Sequence, residues 1–366
     1  MTAKSVLGRI LKYYDWIIFL IILILLTLSL LVIYSLDLGR EGGVFLNFRK
    51  QAIFAILALG IMFLFAFIDW RFFKNLVWPL YFLGLLMLWG VLFFGETRRA
   101  TTGWFALGGF VFQPVEIAKI FFILAMADLL SKKGFIPNLK LWLQFFILLL
   151  LYLIPVTLQP DLGGAFVLAV IGLGMFLMVG LPKRYLLGLL FLGIVTALIG
   201  WFFILHNYQR ERILVFLNPG RDPLGRGYNI SQAIVAIGSG GLWGHGFGGG
   251  SQSQLRFLPE AQTDFIFAVL AEELGLIGVV VILGAQLFLF YRIILVAKRL
   301  SDNFSLFFLV GALILLGIET VTNIGMNLGL LPIAGLTLPF VSLGGSSLIS
   351  KSVLIGIIQS MRIRSY

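Results

Sequence analysis

The chain has 366 residues, of which 60% are apolar and 12% charged, with a formal net charge of +11 and a mean hydropathy of +1.05. Soluble domains carry about a quarter charged residues, so a soluble enzyme is excluded, and so is a disordered chain. The sequence has no cysteine and two histidines, His206 and His245, which argues against a disulfide framework, a thiolate nucleophile and a histidine-rich zinc site.

Ten apolar runs are long enough to cross about 30 Å of hydrocarbon. They cover 16–35, 51–68, 76–95, 114–131, 141–158, 162–180, 185–205, 264–290, 305–325 and 339–360. Backbone groups in lipid must be satisfied internally, so these runs read as helices, and the alternation of a membrane β-barrel is absent. The first run lacks a small-residue cleavage site and reads as a retained anchor. The expected fold class is an all-α polytopic membrane protein with ten transmembrane helices, forming one domain over 1–366.

With the N-terminus inside, the cytoplasmic side receives most of the basic residues, from Lys4, Arg9 and Lys12 through Lys132, Lys133, Lys183 and Arg184 to Arg292, Arg362 and Arg364. The short outer loops receive Arg40, Arg49, Lys50, Arg98 and Arg99. This asymmetry places both termini in the cytoplasm. It also explains the net charge as topology, so nucleic acid is not an expected partner.

Glu116 and Lys119 share one face of the fourth run, where they form either a packing ion pair or part of a functional site. Glu319, Asn323 and Lys351 in the last two runs read as interhelical glue. Asp161, in QPDLGG at 159–164, is placed to cap the helix that follows.

Residues 206–263 form a loop of about 58 residues between the seventh and eighth runs. Its aromatic content and the helical spacing of 229–238 predict a folded extracytoplasmic cap. Within it, GSGGLWGHGFGGG at 238–250 has eight glycines in thirteen residues. The reading is a backbone cradle for a phosphate or sugar, or else a tightly turned surface loop. The G-x-G-x-x-G match at Gly244, Gly246 and Gly249 follows no strand, and there is no Walker A motif.

Asp264 ends the cap where the eighth run begins, with Thr263 placed as the helix N-cap and Glu260 four positions earlier. An ionised carboxylate there can take a proton from an attacking hydroxyl or hold a divalent cation such as Mg²⁺ or Mn²⁺, or it can serve only as a cap. Arg210, Arg212, Arg221, Arg226 and Arg256 in the cap, with Arg98 and Arg99, would suit a pyrophosphate substrate. Solvated loop charge is the competing explanation.

Residues 216–278 resemble the outer-loop signature of the SEDS family, whose members include RodA, FtsW and SpoVE. FQPVEIAKI at 112–120, QPDLGG at 159–164 and NLGLLPIAGLTLPFVSLGGSSLI at 327–349 resemble its other motifs in the same order. The resemblance implies a peptidoglycan glycosyltransferase that polymerises lipid II into a lipid-linked glycan on the outer face of the bacterial cytoplasmic membrane. It implies Asp264 as catalytic. The substrate-binding set expected around it is Glu116, Lys119, Arg98, Arg99, Asp161, Arg210, Arg212, Gln252, Glu260, Thr263, Ser346 and Ser347. It also implies a class B penicillin-binding protein as transpeptidase partner, with other elongation or division proteins.

QSQL at 252–255 leans towards the elongation type and LTLPF at 336–340 towards the division type. Gln262 stands where many members have His, Gly103 where many have Arg, and Leu343 where Tyr is common. A lipid II flippase and a non-catalytic scaffold are the rival readings.

Overall fold

The computed structural model describes residues 8, 12–39, 45–98, 101–107, 110–132, 139–180, 182–223 and 225–365. It is mostly helical. Helix α1 (Trp16–Leu38) is capped by Asp15, whose side chain accepts from the amides of Ile17 and Ile18. Helices α2 (Leu46–Phe67), α3 (Trp70–Asn75) and α4 (Val77–Phe94) follow. Then come α5 (Pro114–Lys132), α6 (Leu139–Leu158), α7 (Leu162–Leu177) and α8 (Lys183–Ile199), the last running into a π turn at Gly200–Ile204.

Segment 206–263 carries helices among its described residues. It contains α9 (Asn207–Leu217), a short 3₁₀ turn, α10 (Arg226–Ser239) and α11 (Ser251–Gln254). The chain closes with α12 (Ile266–Ala297), α13 (Asn303–Asn327) and α14 (Gly345–Ile363).

Six of these helices, α1, α2, α4, α6, α12 and α13, are long and apolar enough to cross a membrane by length and composition. The bent α8–α9 pair brings the number to seven. The physical difference from ten apolar runs lies in the centre of the molecule. Most residues of α5 and α14 are buried, with Glu116, Lys119, Asp128 and Lys351 among them. Helices shielded from lipid on all sides can carry charges that a lipid-facing helix cannot. Helix α7 is also largely buried and has only 16 residues.

The chain is not purely helical. Between α4 and α5, strands β1 (Glu96–Arg98), β2 (Thr101–Leu107) and β3 (Phe110–Phe112) form an antiparallel sheet in the order β1-β2-β3. Glu96 faces Trp104, and Phe105 faces Phe112. The β-branched and aromatic run TTGWF suits a pleated surface. The amide of Thr102 donates to the carbonyl of Gln159, fastening the sheet to the turn before α7.

Helix α12 is interrupted at Gly275, whose φ of 64° and ψ of −161° are not helical. The break frees backbone groups that the glycine-rich segment takes up. The amides of His245 and Gly246 donate to the carbonyls of Glu272 and Glu273, while those of Leu276 and Ile277 donate to the carbonyls of Gly241 and Leu242. The Glu272 carboxylate accepts from the amides of Gln252 and Ser253 at 2.7 and 3.0 Å. Glu273 accepts from the Ser35 hydroxyl and, at 3.3 Å, from the amide of Gly248. Both carboxylates are fully buried.

The phosphate-cradle reading is therefore corrected. The amides of Gly244, His245, Gly246, Gly248 and Gly249 are committed to this chain's own carbonyls, to the Ser35 hydroxyl and to the Glu273 carboxylate. The glycines allow a close approach to the helix break: a Cβ on Gly244 would lie 2.2 Å from the Glu273 carbonyl oxygen.

The two ends of the chain meet on one face. Asp15 pairs with Arg292 at 2.7 Å and also with Arg362. Its backbone exchanges hydrogen bonds with the Gln359 side chain. Lys74 pairs with Asp302 at 3.1 Å.

Candidate active site

A cavity of about 420 Å³ opens where the sheet, the turn before α7, the turn before α12 and the start of α14 converge. Of the residues singled out from sequence, it gathers Asp264, Thr263, Asp161, Glu116, Ser346 and Ser347. It adds Lys50, Phe54, Trp104, Gln113 and Thr337. Apolar side chains such as Ile53, Phe54 and Leu336 share the lining with the polar ones.

Asp264 lies in the turn that precedes α12. The carbonyl of Glu260, a residue with φ of 52°, accepts from the amides of Thr263 and Asp264 at 3.0 and 3.1 Å. The Asp264 carboxylate reaches towards Gly335, where a Cβ would lie 3.9 Å from Oδ2. Thr263 does not cap α12, contrary to expectation. The helix starts at Ile266 with no side-chain cap at Phe265, and the Thr263 hydroxyl donates to the Glu260 carbonyl at 3.3 Å.

Asp161 does two things at once. Its carboxylate caps α7 by accepting from the amide of Gly164 at 2.8 Å, and it also lines the cavity. Gln113 Nε2 approaches its other oxygen at 3.5 Å. Burial raises the Asp161 pKa above the ordinary carboxylate range, against the opposing effects of the Gly164 amide and Lys119.

Behind the cavity, Glu116 enters a ring of four buried charges on three helices. Lys119 lies 2.8 Å from Glu116 and 2.6 Å from Glu319. Lys351 lies 3.3 Å from Glu116 and 2.9 Å from Glu319. Two acids and two bases cancel, which is how four charges share a site shielded from water. Lys351 also donates to Ser347, and Ser347 bonds Thr337 at 2.8 Å. Ser346 accepts from the Gln113 amide at 3.0 Å, tying the start of α5 to that of α14.

Other expected residues stand elsewhere. Arg210 donates to the carbonyl of Phe202 at 3.1 Å, and Arg212 lies over the Tyr208 ring at 6.0 Å, near enough to Asp161 for its charge to favour the ionised carboxylate. Neither lines the cavity. Gln252 presents its amide to Glu272, and Glu260 shapes the turn before Asp264. Arg98 ends β1, paired with Thr101, and Arg99 lies outside the described residues.

The only Lys or Arg lining the cavity among the described residues is Lys50, one of the basic residues of the short outer loops in the sequence. Its position one residue before the second apolar run was the available signal. Among the described residues, no three His, Asp or Glu side chains gather closely enough to hold a metal.

Comparisons with known proteins identify the family. Peptidoglycan glycosyltransferase MrdB of Escherichia coli K12 is 40% identical over 348 residues, covering 93% of this chain and 91% of the relative. The probable peptidoglycan glycosyltransferase FtsW of Geobacter metallireducens is 37% identical over 371 residues, covering 96% and 95%. A chain from a peptidoglycan synthase complex, solved to show how polymerization and crosslinking are coordinated, superposes with a TM-score of 0.83 at 33% identity, covering 96% and 98%. The rod shape determining protein RodA of Thermus thermophilus superposes at 0.71 with 30% identity and the same coverage. The profile of the FtsW/RodA/SpoVE cell cycle proteins matches residues 15–366, and the chain belongs to that family.

Proposed function

We propose that this chain is a peptidoglycan glycosyltransferase of the RodA type, polymerising lipid II on the outer face of the bacterial cytoplasmic membrane during cell elongation. The observation that carries the reading is the convergence of Asp264, Asp161 and Glu116 with Lys50 on one cavity that also has apolar walls. Lipid II brings sugar hydroxyls, a pyrophosphate and a polyprenyl chain, and each has a chemical counterpart there. The identity to named glycosyltransferases supports the same activity.

In this reading Asp264 takes the proton from the acceptor sugar hydroxyl as its oxygen attacks the anomeric carbon of the donor. The bond from that carbon to the pyrophosphate oxygen breaks, and the lipid pyrophosphate leaves with the electron pair. Lys50 offsets the charge that develops on it. The activated donor supplies the driving force. Asp161 and Glu116 shape the polar side of the cavity.

Ten helices cross the membrane: the six apolar ones together with α5, α7, α8 with its π turn, and α14. The face carrying Asp15, Lys74, Arg292, Asp302 and Arg364 is cytoplasmic by its basic excess, with both termini on it. The cap over 206–263 then lies outside, above the cavity. A class B penicillin-binding protein is the partner expected to crosslink the glycan, in keeping with the synthase complex that this chain resembles.

Reconstitution in liposomes with fluorescent lipid II tests the activity. Polymer of increasing length is expected. Transbilayer movement of lipid II without polymer would overturn the assignment in favour of a flippase.

A further inference from the structure

The start of α12 is built around a side chain from another helix. In a regular helix the amide of Ala268 would donate to the carbonyl of Asp264. Here Ala268 N donates instead to Oδ1 of Asn327 at 3.1 Å, and Nδ2 of Asn327 donates to the Asp264 carbonyl at 2.9 Å. The carboxamide of Asn327 is thus inserted between the two groups that would form that turn. Asn323, one helical turn earlier on α13, adds a second donor to the Asp264 carbonyl at 3.2 Å and holds the Leu336 carbonyl at 2.7 Å. Both asparagines are fully buried.

The preceding carbonyls are also held. Leu343 N donates to the Gln262 carbonyl at 2.8 Å, and the Ser342 hydroxyl donates to the Thr263 carbonyl at 2.6 Å. Three consecutive peptide units are therefore anchored by α13 and by the segment leading to α14.

We infer that Asn327, assisted by Asn323, is a positioning residue for Asp264. By occupying the hydrogen bonds of one helical turn, it stops α12 from beginning at Asp264. The residue stays in a turn, and its carboxylate is presented to the cavity beside Gly335. Without the carboxamide, Ala268 N can return to the Asp264 carbonyl, extending α12 and rotating the carboxylate away. Misplacing a reacting group by about 1 Å can cost about 100-fold in rate. The inference rests on the proposed role of Asp264.

The test is polymerisation kinetics of the full chain with lipid II, together with lipid II affinity and the thermal melt. Asn327→Leu, which has neither donor nor acceptor, is expected to lower kcat at least tenfold while KM, lipid II affinity and melting temperature change little. Asn323→Leu, which removes the longer bond and leaves the bridge, should lower kcat less. Asn327→Ser supplies the same kcat-against-KM comparison should the leucine variant fail to fold. A folded variant with wild-type kcat would overturn the inference, as would a fall in kcat matched by equal losses in affinity and melting temperature. Asp264→Ala, run in parallel, separates the two claims. If it keeps wild-type kcat, the catalytic reading fails; if it is inactive while Asn327→Leu is not, only the positioning role fails.

Discussion

Lys351 on α14 lies 2.9 Å from Glu319 on α13, and each side chain is 1% exposed. The pair completes a neutral ring with Glu116 and Lys119, so that three helices share four charges. Removing one member leaves an uncompensated buried charge, which typically costs about 3–5 kcal/mol. Lys351→Met and Glu319→Gln should each lower thermal stability in detergent strongly. The double variant should recover a large part of the loss, because neutrality is restored. Additive losses would show that the four groups do not act as a unit.

Lys50 supplies a second test. If it faces the pyrophosphate, Lys50→Gln should weaken binding of undecaprenyl pyrophosphate by about tenfold, equivalent to about 1.4 kcal/mol. Lys50→Arg should retain most of the affinity, since a guanidinium also binds phosphate. Equal affinities for the wild type and the glutamine variant would place the pyrophosphate elsewhere.

The ring and the cavity mark what could be read from residues alone. Glu116 and Lys119 are three apart on one helix, so their pairing was legible from spacing. That Glu319 and Lys351 join them was not, because sequence does not fix which helix faces face each other. Asp161 was legible as a cap, but its second position on the cavity depends on how the turn before α7 meets the sheet. The glycine-rich segment misled most. Its composition signals close backbone approach, but whether the approaching group is a phosphate or a helix carbonyl is decided by the break at Gly275, which lies outside the segment. The asparagine bridge at Asn327 left no local pattern at all, since it joins residues of two helices.

The helix break predicts a contrast between neighbouring glycines. Gly244 has a φ of 75°, and a Cβ there would lie 2.2 Å from the Glu273 carbonyl oxygen. Gly246 has a φ of 80° but no atom within 4 Å of such a Cβ. Gly246→Ala should cost about 1–2 kcal/mol from backbone conformation alone. Gly244→Ala adds a backbone collision and should cost clearly more, with the cap detached from α12. Chemical denaturation or proteolysis of the cap distinguishes the two. Equal effects would mean that the segment does not dock as described.

At the opposite face, Asp302 caps α13 through the Ser305 amide at 3.0 Å and pairs with Lys74 at 3.1 Å. Partial burial opposes its ionisation, but the hydrogen bonds from Ser305 and Lys74 outweigh that and lower its pKa. A lowered native pKa means stability that is fully present above the unfolded value of about 3.9 and is lost as pH falls through the native value. Asp302→Asn should therefore destabilise the protein at pH 7, by about 1 kcal/mol or less for so exposed a pair. The difference from wild type should shrink below about pH 4. A difference that persists unchanged at pH 3 would rule out the ionised carboxylate as its source.

The absence of cysteine makes sidedness directly measurable. Single cysteines at Trp243, which is 79% exposed in the cap, and at Lys298, just beyond α12, should react with a membrane-impermeant maleimide in opposite compartments. Intact cells should label Trp243→Cys only. Labelling of both, or of Lys298→Cys alone, would contradict the ten-helix topology.

The most direct measurement is the rate of glycan polymerisation by Asp264→Asn, an isosteric change that removes the base, alongside its affinity for lipid II. Positioned general bases contribute about 10²–10⁴ in rate. The rate should fall by that amount with affinity and melting temperature near wild type. Polymerisation at the wild-type rate by a folded Asp264→Asn protein would contradict the central claim.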